Sequence, residues 1–275
     1  LDVNETPDPE EFEDAYMRYA NARVCPPRPA EKTYRVRGTK EPFYTLNVID
    51  GIMSVSAVQK VAKQYQASIT EYLNAVLLYS LLQKQEHDFH LRLRPVRIAM
   101  PVNLRRFFPS KTLRNFITMV YPSIDPRLGD YTFEEIVTQV HHYMRYYINS
   151  KFLRGDITTN ASTQRNPLIR IVPLFLKDFV VRQFYQRVQD KNSSAGLTNM
   201  GAIRVPDDMK PYLERFDIYM GIPYSQRTNC AIVSFEDTLT VNFASCIIEA
   251  DVERRFFQKL VEDGIPVTIE SNREL

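Results

Sequence analysis

Four histidines, three cysteines and a dense run of arginines carry much of the chemistry this sequence can offer. His141 and His142 are adjacent within a helical pattern. Neighbouring helix positions diverge by about 100°, so the two rings cannot grip one metal ion, and an ordinary surface or half-buried role is expected. His87 and His90 have an i, i+3 spacing, but no further ligands accompany them; they read as a solvated helix end. Cys25, Cys230 and Cys246 make an odd count without a C-x-x-C, which argues against a disulfide framework or a zinc knuckle. A reduced, cytoplasmic setting is the default for such a chain. Cys230 and Cys246 have no neighbouring histidine, so no nucleophilic thiol is expected. Gly196 and Gly201 have the spacing of P-loop glycines, but Ala202 and Ile203 stand where Lys and Ser/Thr would be needed. No G-x-G-x-x-G occurs, which argues against a dinucleotide turn. The densest basic stretch is Arg92, Arg94, Arg97, Arg105, Arg106, Lys111 and Arg114. Arginine suits phosphate through its two-pronged fork, although charged loops and strand faces are also common. Nucleic acid is not expected: the formal net charge is only +2, and stacking aromatics at regular intervals are missing apart from Phe107 and Phe108.

The elements that must position these groups follow from pattern. With 275 residues, 44% hydrophobic and 25% charged, the chain has the length and composition of a globular protein of one large or two modest domains. No run of 18 apolar residues is present, so no membrane-spanning helix is expected. The start at Leu1, followed by an acidic stretch, reads as a cut in something longer. Residues 1–33 are expected to hold a short charged helix (Glu10 to Arg23) and a linker with Pro26, Pro27 and Pro29, and residues 34–275 a single lobe. Tyr34–Arg37 and Phe43–Ile49 read as strands. Ser56-x-x-Gln59, Ser68-x-x-Glu71 and Thr132-x-x-Glu135 are capping-box patterns opening helices, the last running to about Phe152. Pro95–Asn103 and Phe116–Tyr121 read as strands. Asn166-Pro167 opens a helix to about Gln189. Ala195–Ile203, Phe216–Ile222, Cys230–Phe235 and Thr238–Ser245 read as strands, the last two as a hairpin, before a closing helix capped by Asp251. Strict strand–helix alternation is missing. The expected class is therefore α+β, a mixed, largely antiparallel sheet covered by helices.

Several stretches, in this order, resemble the chloramphenicol acetyltransferase-like superfamily of CoA-dependent acyltransferases, especially its alcohol acetyltransferase and condensation-domain branches. Glu13-Asp14-Ala15-Tyr16 and the proline linker resemble the segment that follows the catalytic helix. Ser68-Ile69-Thr70-Glu71-Tyr72-Leu73-Asn74-Ala75 resembles an S-x-T-E-x-L-x-A helix. Met100-Pro101-Val102-Asn103-Leu104-Arg105, continued by Thr112–Phe116, resembles a P-V-x-x-R strand end. Leu197-Thr198-Asn199-Met200-Gly201 resembles an S-N-x-G strand. Asp217 to Gly221 is a loose match to a structural D-F-G-W-G motif. The resemblance implies a C-terminal lobe, with Thr198 and Asn199 supporting the reaction centre, Asn103, Arg105 and Asn115 near the substrate, and Arg106, Lys111 and Arg114 near the phosphates of the acyl donor. That donor would be acyl-CoA or a phosphopantetheine thioester as cosubstrate, with no metal or tightly bound cofactor, and the acceptor a small alcohol or amine.

One departure from the family pattern is decisive for mechanism. The general base of the family is the second histidine of H-H-x-x-x-D-G. His141-His142 is followed by Tyr143-Met144-Arg145-Tyr146-Tyr147, without the Asp and Gly, and lies in the wrong part of the order. The base is therefore expected on a partner N-terminal lobe, in the same or a separate chain. The competing expectation is a non-catalytic lobe that binds an acyl carrier, a CoA ester or a protein.

Overall fold

The computed structural model describes residues 6–21, 31–42, 45–88, 92–165, 192–223 and 226–273, together with Pro173 and Asp178. Eight strands lie among them: β1 (Asn47–Ser54), β2 (Val96–Asn103), β3 (Ile117–Val120), β4 (Ser123–Ile124), β5 (Ala195–Ala202), β6 (Thr228–Phe235), β7 (Thr238–Ser245) and β8 (Thr268–Ser271). The α-helices are α1 (Ala15–Tyr19), α2 (Val55–Gln64), α3 (Ile69–His87), α4 (Phe133–Tyr147), α5 (Ser150–Arg165) and α6 (Asp251–Glu262). Strand order is β3-β2-β5-β6-β7-β1-β8, with β4 beside β2. β2–β5 and β5–β6 are parallel, while β6–β7, β7–β1, β1–β8 and β2–β4 are antiparallel. The expected α+β class with a mixed, largely antiparallel sheet is what the chain forms. No helix among the described residues is long and apolar enough to cross a membrane.

The chain divides into two compact units. The smaller draws on residues 1–29, 101–120 and 144–184, the larger on 30–100, 121–143 and 185–275.

In the larger unit α3 is the central helix. The Ser68 hydroxyl accepts from Glu71 N (3.2 Å), and the Glu71 carboxylate accepts from Ser68 N (2.7 Å), so the expected capping box is formed. Glu71 through Leu78 are all buried, as befits a helix apolar around most of its girth. Each fully buried Leu or Val there stabilises the fold by about 1.5–3 kcal/mol relative to exposure. α6 packs against α3, and Asp263 at its end accepts from the Tyr72 hydroxyl (2.7 Å) and the Lys259 ammonium (2.6 Å). The β6–β7 hairpin turns at Glu236-Asp237, with Glu236 in the left-handed region (φ 51°).

Several boundaries differ from expectation for identifiable reasons. α2 starts from Ser54, not Ser56: the Ser54 hydroxyl accepts from Ala57 N, and Asp237 accepts from Ser56 N. β1 begins at Asn47 and runs through Asp50-Gly51 to Ser54, past the end expected at Ile49. Gly51 fits the strand because the Phe257 ring lies on it; a Cβ there would sit 2.1 Å from a ring carbon. Residues 34–37 form no strand, nor do 216–222. The second segment is held by side chains of β7 instead of a ladder: Ile218 N donates to Asn242 Oδ1, and the Thr240 hydroxyl donates to Phe216 O. Asp217 accepts from Arg215 Nε (2.9 Å) and Asn242 Nδ2 (3.1 Å), a framework role. Asp251 is the first residue of α6, with Ala250 at the cap position. β8 carries no strand signal that the sequence reading used.

In the smaller unit the expected first helix is shorter. A single turn at Pro9–Phe12 is followed by α1, and between them the Thr112 hydroxyl donates to Glu13 O (2.6 Å). The helix expected to reach Phe152 breaks after Tyr147, where Asn149 Oδ1 accepts from Lys151 N and Phe152 N to open α5. α1 packs on α5, with Phe108, Phe116, Leu153 and Ile157 buried. The helix expected from Asn166 to about Gln189 and the Pro26, Pro27 and Pro29 linker lie outside the described residues, apart from Pro173 and Asp178.

Candidate functional site

In the larger unit, polar groups converge on the first turns of α3. The Asn199 Nδ2 group donates to Thr70 Oγ1 (2.8 Å), and its Oδ1 accepts from Gly201 N (2.8 Å). That geometry comes from a register shift between Asn199 and Ala202, where β5 departs from β6. Gly201 sits at φ 76°, a conformation that disfavours any residue with a Cβ. Thr198 is half-buried opposite Ala231 of β6, and its hydroxyl has no hydrogen-bond partner among the described residues.

Beneath Thr70 lies Asn74, fully buried. Its Nδ2 donates to Thr70 O (3.2 Å) and to Met100 Sδ on β2 (3.3 Å). On another side of the same turn, His141 Nδ1 of α4 stands 3.4 Å from Glu71 Oε1, at ion-pair distance without hydrogen-bond geometry. Asn74 Oδ1 and His141 Nδ1 are the buried side-chain polar atoms without a hydrogen-bond partner among the described residues. Both flank the head of α3. Unpaired buried polar atoms are costly, so their coincidence marks this place. His141 is half-buried and His142 exposed, the ordinary placement expected for this pair.

By donor count, this pair can present the second N–H of the Asn199 amide and the Thr70 O–H; Thr198, one position earlier in the same paired strand, projects to the other face of the sheet. Such donors stabilise negative charge developing on an oxygen. Sequence reasoning named Thr198 and Asn199 but not Thr70 or Asn74, although both stand in the quoted Ser68–Ala75 stretch.

In the smaller unit, Asn103 ends β2, and Arg105, Arg106, Lys111, Arg114 and Asn115 follow in the loop before β3. Asn103 Oδ1 accepts from Arg105 N (3.0 Å) and opens the turn Leu104–Arg106. The Arg105 Nη2 group donates to Thr112 O and Arg114 O, both at 2.6 Å, so this guanidinium closes the loop. Lys111 pairs with Asp8 at 2.7 Å and lies 4.0 Å from Glu10. The Lys111 ammonium, aided by the Glu10 N–H, holds the Asp8 carboxyl below its ordinary value, and Asp8 in turn raises Lys111. Arg106, Arg114 and Asn115 are exposed, their side chains without partners among the described residues. The basic stretch is not one surface: Arg97 is buried, donates to Glu31 O and Asn192 O, and is pushed below its ordinary value by that burial.

No protein-family model and no curated protein sequence matches the chain. Solved structures do. The trichothecene 15-O-acetyltransferase from Fusarium sporotrichioides superposes with a TM-score of 0.52 at 14% identity, over 83% of this chain and 48% of that one. The epimerization domain from the third module of tyrocidine synthetase B gives 0.51 at 13%, over 92% of this chain and 56% of that one. A nonribosomal peptide synthetase gives 0.53 at 10%, over 90% of this chain and 25% of that one. The chain thus shares its fold with an O-acetyltransferase, an epimerization domain and part of a nonribosomal peptide synthetase. It spans about half the length of the first two structures.

Proposed function

We propose that this chain is the C-terminal lobe of a CoA-dependent acyltransferase that moves an acyl group, acetyl in the simplest case, from a thioester to an alcohol or amine. The observation that carries this reading is the Asn199–Thr70 hydrogen bond, on a fold shared with an O-acetyltransferase. In the proposed reaction the acceptor oxygen or nitrogen attacks the thioester carbonyl. Its proton passes to a histidine base supplied by a lobe bearing H-H-x-x-x-D-G. The carbonyl π pair moves onto oxygen, where Asn199 and Thr70 donate hydrogen bonds. Collapse of the tetrahedral intermediate breaks the C–S bond, and the departing thiolate takes the proton from the histidine. No covalent enzyme intermediate forms. Asn103 and Asn115 are assigned to the substrate and Arg106, Lys111 and Arg114 to the donor phosphates, with Arg105 holding the loop that carries them.

The test is thiol release from acetyl-CoA by the complete protein, with its partner lobe, across a panel of alcohols and amines. Acceptor-dependent thiol release that falls in Asn199→Ala supports the reading. Binding of CoA without turnover on any acceptor supports the binding-lobe alternative instead.

A further inference from the structure

The loop assigned to donor phosphates already holds two anions of its own. Asp8 is fixed at both oxygens: Oδ1 accepts from Glu10 N (2.9 Å), and Oδ2 accepts from Lys111 Nζ (2.7 Å). Glu10 approaches the same ammonium at 4.0 Å. The segment bearing both is stitched to the loop through groups that carry no charge. Leu113 N donates to Glu11 O (2.9 Å), the Thr112 hydroxyl donates to Glu13 O (2.6 Å), and the Tyr19 hydroxyl donates to Pro109 O (2.5 Å). The Tyr16 hydroxyl donates to Ile117 O and accepts from Ile117 N. Tyr19 also packs on Phe108 and Phe116. The backbone is therefore anchored by buried and aromatic contacts, while the carboxylates lie at the wet end, with Lys111 65% exposed.

We propose that Asp8 and Glu10 are a built-in competitor for the anion-binding loop, so that a phosphate engages Lys111 only by displacing them. The inference rests on the assignment of this loop to the donor phosphates. Exposed ion pairs are weak, so a ligand can displace this one. A phosphomonoester carries about −1.5 to −2 charges near neutral pH and three acceptor oxygens. It can replace both carboxylates at once, and a singly charged carboxylate cannot. The device favours a multiply charged phosphate over ordinary carboxylates while keeping the loop locally near neutral when empty. Arg106 and Arg114, exposed and without described partners, stay available for first contact.

The test is titration calorimetry of the complete protein with CoA at low ionic strength. Asp8→Asn with Glu10→Gln is expected to tighten CoA binding by about three- to ten-fold, the yield of two such pairs. Glu10→Gln alone, which leaves the Asp8 hydrogen bonds intact, gives a smaller gain in the same direction and guards against a folding defect in the double variant. Lys111→Gln is expected to weaken binding by less than about two-fold in the wild type, but to abolish the whole gain in the Asp8→Asn, Glu10→Gln background. A charge-matched control, Asp208→Asn with Glu262→Gln, should change nothing. An equal gain from that control would overturn the inference in favour of long-range charge. CoA binding that weakens in Arg106→Gln and Arg114→Gln but ignores Asp8 and Glu10 would overturn the inference and leave the phosphate assignment standing. No CoA binding in any protein would overturn both.

Discussion

Asn199 of β5 donates to the Thr70 hydroxyl of α3 across 2.8 Å, and its other amide end is fixed by Gly201 N. With both ends held, the amide plane is set, and so is the direction of its remaining N–H. A distorted strand end and the first turn of a buried helix thereby define one oriented donor.

If that donor acts on a developing oxyanion, Asn199→Ala lowers kcat by about 10²-fold in the complete enzyme. Asn199→Asp, which removes the donor and adds charge, is lower still. KM for the thioester moves little in both. An equal rise in KM with unchanged kcat would assign Asn199 to ground-state binding.

Thr70→Val removes the acceptor and leaves the Asn199 amide short of a partner. A loss of about 1 kcal/mol is expected, read as a lower urea midpoint at constant slope. Thr70→Ser keeps the hydroxyl and should sit within a few tenths of wild type. A Thr70→Val midpoint matching wild type would show that water replaces the hydroxyl without cost.

Gly51→Ala pushes a methyl group into the Phe257 ring. Overpacking of this kind costs about 1–3 kcal/mol. Phe257→Leu in the same chain vacates the ring and should recover part of the loss, so the double variant is more stable than the two single losses summed. Strict additivity in the urea series would place the strain elsewhere.

Burial pushes the Asp50 carboxyl above its ordinary value, assisted by the Asp217 charge and opposed by the hydrogen bonds from Asn242 and Tyr219. An acid raised in the folded state holds its proton more tightly there than in the unfolded chain. Its stabilisation is therefore complete below the unfolded value of about 3.9 and is lost as pH rises through the folded value. Glu253, buried against Thr228, shifts in the same direction. Asp50→Asn should remove its share of the slope, so that Tm of the variant gains on wild type as pH rises through that window. A Tm difference independent of pH would contradict the assignment.

Helices and strands that owe their form to local pattern were readable in the sequence. The capping box at Ser68 and Glu71, the β6–β7 hairpin and the β2 run form as their residues dictate, although the alternating residues of β7 are buried on both faces. Several failures share a cause: a distant side chain decides the local outcome. Asp237 fixes the start of α2, Phe257 covers Gly51 where β1 runs past its expected end, and Asn242 holds segment 216–222 outside the ladder. Thr198 and Asn199 were named from a family-like segment, while the meeting of Asn199 with Thr70 depends on how β5 and α3 pack, which no local pattern states. The engagement of Lys111 with Asp8 was not legible, because residues about one hundred positions apart carry no pattern of their own.

The division of the chain has a consequence for how it can be inherited and cut. Neither unit is a contiguous stretch; the sequence passes between them at residues 29–30, 100–101, 120–121, 143–144 and 184–185. No single truncation yields one unit free of the other, and no simple splice exchanges one of them between genes. During synthesis, the smaller unit waits for residues beyond 144, and the larger waits for the last strand at 268–271. Loop closures of this length precede the contacts that reward them, which makes folding slow. The chain is therefore expected to vary by substitution within its units, not by shuffling of them.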